Sequence, residues 1–325
     1  LGNFPLAAFG GADRAEIVVV GDGTVRVETL EGTRIFTGTL PSGRGGPPTI
    51  SDFDGDGRAE IAAAARTEYV VFDFDCLAGG SAAGCRGMSR TDGRLWSVAV
   101  QEASSGVTGS SVFDFDANGR AEVIYHDECF LRIFSGTDGE VLYSFPRSSL
   151  TWFEMPIVAD TDGDFHSEIV VGAHEYSGSC PAVAPYRTGV AFMPTHGVYV
   201  LRDELDRWAA SRPVWNQHAY SVTHVGDRGE LPRTSAVAVN WRTADLNNFR
   251  QNTQGDLEAL GIADLTASVR GVTPLTCRDG MATVRARVCN RGRLPLGGGL
   301  EVALREGALD GPDFCRTTID APIPA

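Results

Sequence analysis

Oxygen-bearing side chains recur at one spacing in three places along this chain. The stretches read Asp52-Phe-Asp-Gly-Asp-Gly-Arg-Ala-Glu60, Asp114-Phe-Asp-Ala-Asn-Gly-Arg-Ala-Glu122 and Asp160-Thr-Asp-Gly-Asp-Phe-His-Ser-Glu168. Each places oxygens at loop positions 1, 3, 5 and 9, with a backbone carbonyl at position 7. Alternating oxygens on a tight loop suit a hard cation such as Ca²⁺, which takes six to eight oxygen ligands. Each loop feeds directly into a short apolar run: Ile61-Ala-Ala-Ala, Val123-Ile-Tyr and Ile169-Val-Val.

An EF-hand also opens Asp-x-Asp-x-Asp-Gly, but it requires an acid at position 12 and flanking helices. Here the acid stands at position 9 and strand-like runs follow. Asp and Gly are ordinary turn formers, so one such loop would be a plain acidic turn as readily as a site. Three in register make a repeat. A fourth, broken copy, Ala8-Phe-Gly-Gly-Ala-Asp-Arg-Ala-Glu16 followed by Ile17-Val-Val-Val, keeps the frame without the acids and reads as a unit with an empty site.

Stepping outward, the loops begin at 8, 52, 114 and 160, hence 44, 62 and 46 residues apart. Each interval parses as four short strands, the size of a propeller blade. In the second copy these are Pro48-Thr-Ile-Ser, Ile61-Ala-Ala-Ala, Tyr69–Phe74 and Leu95–Val100; in the third, Ser110–Phe113, Val123–Tyr125, Phe130–Phe134 and Val141–Phe145. The long interval comes from an insertion between Asp73 and Gly93, and the fourth copy carries another from His174 to His196. Arg202–Ala210 reads as a helical turn stopped before Pro213, and Val214–Tyr220 and Ser235–Trp241 as strands of an irregular fifth unit. Beyond Gly261 strict alternation appears in Ala263–Val269, Ala282–Val288 and Leu300–Leu304, the pattern of half-buried sandwich strands.

Composition narrows the class. The 325 residues are long enough for a sizeable core and predict two domains, 1–258 and 262–325. Net charge is −14, and eleven of the 42 acids lie in the three loops, so without them it falls to −3. All 28 basic residues are Arg. No basic patch argues for nucleic acid, and no apolar run approaches the ~20 residues of a membrane span. The start at Leu1-Gly-Asn-Phe reads as a mature or trimmed segment. Seven cysteines without a CxxC pair point to disulfides and export, not zinc.

The loops resemble the FG-GAP/VCBS repeats of integrin-alpha-like β-propellers, over about residues 1–200. The resemblance implies an all-β fold: a calcium-loop β-propeller followed by a partial immunoglobulin-like sandwich, which itself resembles CARDB-type adhesion modules at Val288-Cys-Asn-Arg-Gly. It implies about three Ca²⁺ sites: Asp52, Asp54, Asp56 and Glu60 with the Arg58 carbonyl; Asp114, Asp116, Asn118 and Glu122 with the Arg120 carbonyl; Asp160, Asp162, Asp164 and Glu168 with the His166 carbonyl. Position 9 is usually Asp in that family, and Phe165 stands where it has Gly. Such propellers bind partners on the face opposite the metal loops, which here makes Trp152 the expected anchor, with Glu154, His126 and Tyr176 as polar contacts.

Cys76 is expected to pair with Cys85 inside the first insertion. Cys129 and Cys180 both follow a second strand and are expected to bridge neighbouring units. No residue is assigned a catalytic role: no Gly-x-Ser-x-Gly elbow, His-Glu-x-x-His helix or paired carboxylates are legible. The functional expectation is an exported adhesion or recognition module meeting a protein or glycan at a bacterial surface. A carbohydrate-active enzyme (a polysaccharide lyase or glycosidase) or its carbohydrate-binding propeller is one alternative, and a structural spacer of a larger surface protein is the other.

Overall fold

The computed structural model describes residues 14–80, 85, 91–176, 180, 192–243, 245–253, 265–269, 284–290, 295–306 and 311–324. The expected broken copy at 8–16 falls largely outside these residues, as does Cys277.

Period-2 patterning dictates an all-β architecture of antiparallel meanders. The first sheet orders β1 (Glu16–Gly21), β2 (Thr24–Thr29) and β3 (Arg34–Thr39). The second runs β4 (Thr49–Ser51), β5 (Glu60–Ala64), β6 (Glu68–Leu77) and β7 (Asp92–Ala99). The third repeats this with β8 (Ser111–Phe113), β9 (Glu122–His126), β10 (Phe130–Phe134) and β11 (Val141–Pro146). The fourth holds β12 (Ile157–Ala159), β13 (Glu168–Ala173) and β14 (Gly197–Leu201).

Successive sheets pack face to face, and alternation along each strand says which face goes where. On β5, Ile61 and Ala63 join Val25, Val27 and Phe36 of the first sheet, while Ala62 and Ala64 join Val112, Val123 and Tyr125 of the third. On the third sheet, Ile124, Leu131 and Ile133 turn the other way, to Val158, Ile169 and Val171 of the fourth. A strand buried on both faces must be apolar at every position, and all five residues of β5 are buried. Tyr69 sits with its ring 5.9 Å from Trp96 and 5.1 Å from Tyr125, filling the space between second and third sheets.

The first strands β4, β8 and β12 lie side by side. A late segment, 249–253, runs against all three. Phe249 exchanges backbone hydrogen bonds with Ile50, the Val112 N–H donates to the Arg250 carbonyl (3.1 Å), and the Asn252 amide donates to the Val158 carbonyl at 2.8 Å. The described residues do not themselves close the four sheets into a ring.

Two expectations fail between residues 202 and 242. Arg202–Ala210 forms a tight turn and a single bridge from Ala210 to His166 instead of a helical turn, and Val214–Tyr220 and Ser235–Trp241 are not strands; the helical residues of this stretch are 3₁₀ turns at Val222–His224, Thr234–Ala236 and Asn240–Arg242. The alternation at 235–241 does not correspond to a buried face, since none of these residues is buried and no neighbouring strand completes a ladder. Among the described residues beyond 262 there are two ribbons. β15 (Leu265–Val269) pairs with β16 (Ala286–Asn290), and β17 (Leu300–Arg305) with β18 (Asp313–Ile319), a strand the sequence reading did not anticipate.

Candidate metal centres

Each acidic loop joins the first strand of a sheet to the second, so all three open at the same end of the strands. Their internal wiring is the same. The position-1 carboxylate accepts backbone N–H groups from inside its own loop: Asp52 from Gly55 (2.7 Å) and Gly57 (2.9 Å), Asp114 from Asn118 (3.0 Å) and Gly119 (2.8 Å), Asp160 from Gly163 (2.7 Å) and Phe165 (3.1 Å). The position-5 side chain takes the N–H of position 7 in every loop: Asp56 from Arg58, Asn118 from Arg120 and Asp164 from His166. The position-9 Glu reaches back with one oxygen to the N–H of position 2: Glu60 to Phe53 at 2.6 Å, Glu122 to Phe115 at 2.9 Å, Glu168 to Thr161 at 2.7 Å. One carboxylate oxygen thereby fixes the loop and leaves the other toward its centre.

This wiring requires left-handed backbone at positions 4 and 6. Glycine supplies it at Gly55 and Gly57, Gly119 and Gly163; Ala117 (φ 53°) and Phe165 (φ 74°) adopt it despite their side chains. The Phe165 departure therefore leaves the loop geometry intact and places the strain in one residue.

In each loop the carboxylates converge. Oxygens of Asp52, Asp54, Asp56 and Glu60 lie within 4.8 Å of one another, as do those of Asp114, Asp116 and Glu122, and those of Asp160, Asp162 and Glu168. Asp164 stands outside the third cluster, although its hydrogen bond from the His166 N–H matches that of Asp56 from Arg58. Clustered acids disfavour their own ionisation. Burial first, then the neighbouring carboxylates, pushes Glu122 up to about 8 and Glu60 well above the usual carboxylate range. Asp114 rises to about 6, chiefly through burial. Glu168 Oε1 is buried with no hydrogen-bond partner. A donor set of hard oxygens, converging and electrostatically frustrated, fits a divalent cation and is compatible with Ca²⁺.

The sequence reading missed Asp73. It lies on β6, buried, and is pushed to about 7 by burial and by the charges of Asp75, Asp54 and Asp56. Asp75 in turn pairs with Arg58 at position 7 of the first loop. Position along the chain gave no signal, because the insertion appeared to begin there.

The loops also tie sheets together. The Ala121 N–H of the second loop donates to the Asp52 carbonyl of the first (3.1 Å), and the Arg120 stem lies where a Cβ on Gly55 would stand. The Ala209 N–H donates to Phe115 (2.7 Å), and Trp208 packs on the Phe115 ring at 4.6 Å.

At the other end of the strands, the residues expected to meet a partner divide. Trp152 is 49% exposed, Tyr176 46%, and the Glu154 side chain 40%. His126 is fully buried, so it offers no surface contact. Its Nδ1 accepts from the Arg147 guanidinium at 2.6 Å, which holds it beneath the surface. Arg147 also pairs with Glu154 (3.3 Å). Phe153, 62% exposed beside Trp152, was missed; two adjacent aromatics in one crossing were the available clue. Cys76 pairs with Cys85 and Cys129 with Cys180, with Cα separations of 4.8 and 5.6 Å. No described helix is long and apolar enough to cross a membrane.

No family model and no curated protein matches this chain. Among solved structures it is similar to the V. cholerae biofilm matrix protein Bap1, with 19% identity and a TM-score of 0.45 over 75% of this chain. It is also similar to a protein of unknown function from Bacteroides caccae, with 13% identity and a TM-score of 0.27 over 48% of this chain. The chain spans less than half the length of each, 43% and 49%.

Proposed function

We propose that this chain is a calcium-stabilised propeller of the FG-GAP type, serving an exported protein as a non-catalytic adhesion or recognition module. The observation that carries this reading is the shared wiring of three carboxylate loops at one end of consecutive, face-packed antiparallel sheets. In this reading a Ca²⁺ ion in each loop neutralises the cluster and fixes the edge of one sheet against the next. The two disulfides agree with an oxidising compartment. Recognition falls to the far end, where Trp152, Phe153 and Tyr176 stand exposed.

An enzyme is the rival. Ser149, His174 and Glu154 cluster at the same end, and Ser149 Oγ lies 3.2 Å from His174 Nε2. That nitrogen already accepts the Leu150 N–H at 2.8 Å, the Ser149 hydroxyl donates to Glu154, and Ser149 is buried. A general base needs a free lone pair aimed at the nucleophile's proton, so this arrangement favours a structural role. A glycan and protein array in Ca²⁺, followed by a product assay on every ligand retained, tests the proposal. Retention without turnover supports it; cleavage of a retained glycan replaces it with the enzyme, and no retention at all leaves the spacer reading.

A further inference from the structure

At the far end of the strands two exposed arginines stand among acidic neighbours. Arg44, in the crossing from β3 to β4, is exposed, with its guanidinium 6.0 Å from the Trp152 ring. Arg66, in the β5–β6 turn, is also exposed; its stem lies in a trough between Gly43 and Gly106, where a Cβ on either glycine would stand within 2.6 or 2.7 Å of it. Its Nη2 donates to the Ala103 carbonyl at 2.6 Å. Among the described residues neither arginine has a carboxylate partner, although Arg58, Arg94 and Arg207 are all paired.

A third guanidinium is buried and reaches Phe153 through His218. Arg250 is 2% exposed, and its Nε and Nη1 have no hydrogen-bond partner. Its Nη2 meets His218 Nδ1 at 3.2 Å, and His218 Nε2 in turn meets the Phe153 carbonyl at 2.7 Å. Burial brings Arg250 down only to about 10, so it remains a cation at neutral pH. A desolvated charge acts over a longer range than a solvated one, because less water screens it. Of the described carboxylates at this end, Glu154 is committed to Arg147, Asp127 to Arg132, and Glu102 is buried under hydrogen bonds from Ser105, Gly106 and Thr151; Asp22 and Glu68 stand in the turns beside Arg44 and Arg66 without an ion pair to either.

We infer that this end of the molecule binds a uronate-bearing polysaccharide, with Arg44 and Arg66 receiving its carboxylates and Trp152 and Phe153 its sugar rings. The inference rests on the recognition reading and supplies its ligand chemistry. A planar guanidinium takes a carboxylate in a two-pronged fork that an ammonium cannot match. The two aromatic rings stand edge to face at 5.4 Å, one 49% and the other 62% exposed, presenting flat apolar surfaces to the C–H faces of a sugar. Alternating ring and carboxylate is the chemistry of an acidic glycan. An acidic peptide would also satisfy the arginines, but it would make no use of paired ring faces.

The test immobilises a panel of uronate polymers, hyaluronan among them, each beside its carboxyl-reduced neutral counterpart and beside polyglutamate. The full chain is passed over them in Ca²⁺. The expected result is retention on at least one uronate polymer, loss of retention on its reduced form, and weakening of about tenfold by Arg44→Glu and by Trp152→Ala alike. Arg66→Gln should weaken it less, and rising salt should weaken it throughout. Unchanged calcium-dependent melts show that the variants fold. Retention on neutral glycans or proteins alone overturns the inference and leaves the recognition reading standing. Equal retention on polyglutamate, sensitive to Arg44→Glu but not to Trp152→Ala, overturns it in favour of an acidic protein partner. Cleavage of a uronate polymer overturns the non-catalytic reading instead.

Discussion

Asp54→Ala separates the two roles an acidic loop can have, ligand or plain turn. Asp54 is at position 3 of the first loop, and its charge is the second cause, after burial, that raises Glu60. Calcium sites in extracellular modules have Kd values of about 10⁻⁴–10⁻³ M. At about 5 mM Ca²⁺, ligand linkage then stabilises the fold by about 1–2 kcal/mol per site, and by about 3–7 kcal/mol for three. For a body of this size each kcal/mol moves the melt by about 2–4 °C. Calcium should therefore raise Tm by about 6–28 °C over chelator. The substitution should cost about 2–8 °C of that rise, one site's share. In chelator its sign changes character: removing a charge from a repelling cluster offsets the lost hydrogen bond to Asp56, and the effect should stay within about 0.5 kcal/mol. Scanning calorimetry of both proteins, with and without chelator, gives the four values needed. Equal melts for the wild type in calcium and in chelator would refute the metal reading. Equal losses for Asp54→Ala in both conditions would show that the side chain acts through its own hydrogen bonds.

His126 should make stability depend on pH. Burial, then the Arg147 charge, holds it well below its usual value, so the unfolded chain takes up the proton near pH ~6.5 while the folded one stays neutral. Its contribution is present above that pH and lost as pH falls through it. The gap in unfolding free energy between wild type and His126→Asn, which keeps an acceptor for Arg147, should shrink between about pH 7.5 and 5.5; a constant gap counts against the assignment. Phe165→Gly should raise stability by about 1 kcal/mol in denaturant titration, because it relieves left-handed backbone at an exposed side chain. A drop would mean the ring contributes packing. Replacing Cys129 and Cys180 by Ser opens a loop of 51 residues and should cost about 4 kcal/mol on the chain-entropy model. Unaltered stability would show that the bridge constrains little in the unfolded chain.

The parts of the fold that sequence revealed are those with a period. Loop positions 1, 3, 5 and 9, and the buried runs after them, reappear where the spacing placed them, because local hydrogen bonds and two-sided burial dictate both. The Cys129–Cys180 pair was legible because strand order fixes which hairpins share an end, and Cys76–Cys85 because both lie in one short insertion. Segment 249–253 has no such signature. It bridges singly to two strands and meets a third only through the Asn252 side chain, which leaves no alternation to read. The alternation at Ser235–Trp241, conversely, was a pattern without a partner strand. Asp73 and the buried guanidiniums of Arg132, Arg147, Arg212 and Arg250 depend wholly on tertiary placement, because composition marks such residues as surface. His126 misled for that reason: polar character suggested solvent, and Arg147 supplied the partner that made burial tolerable.

The late segment also sets an order of events during synthesis. The Ser51 hydroxyl meets Gln251 across a separation of 200 residues, and Ile50 takes its backbone partner from Phe249. A chain emerging from its N-terminal end can form each meander from local contacts within moments of its last strand appearing. The edges of β4 and β8 must wait for residues 249–253 before their hydrogen bonds are satisfied. Contacts this distant in sequence slow the final step and leave strand edges open to neighbouring chains meanwhile. A chain stopped near residue 245 would hold its four sheets with those edges unpaired, and aggregation in place of simple instability is the fate that geometry assigns to it.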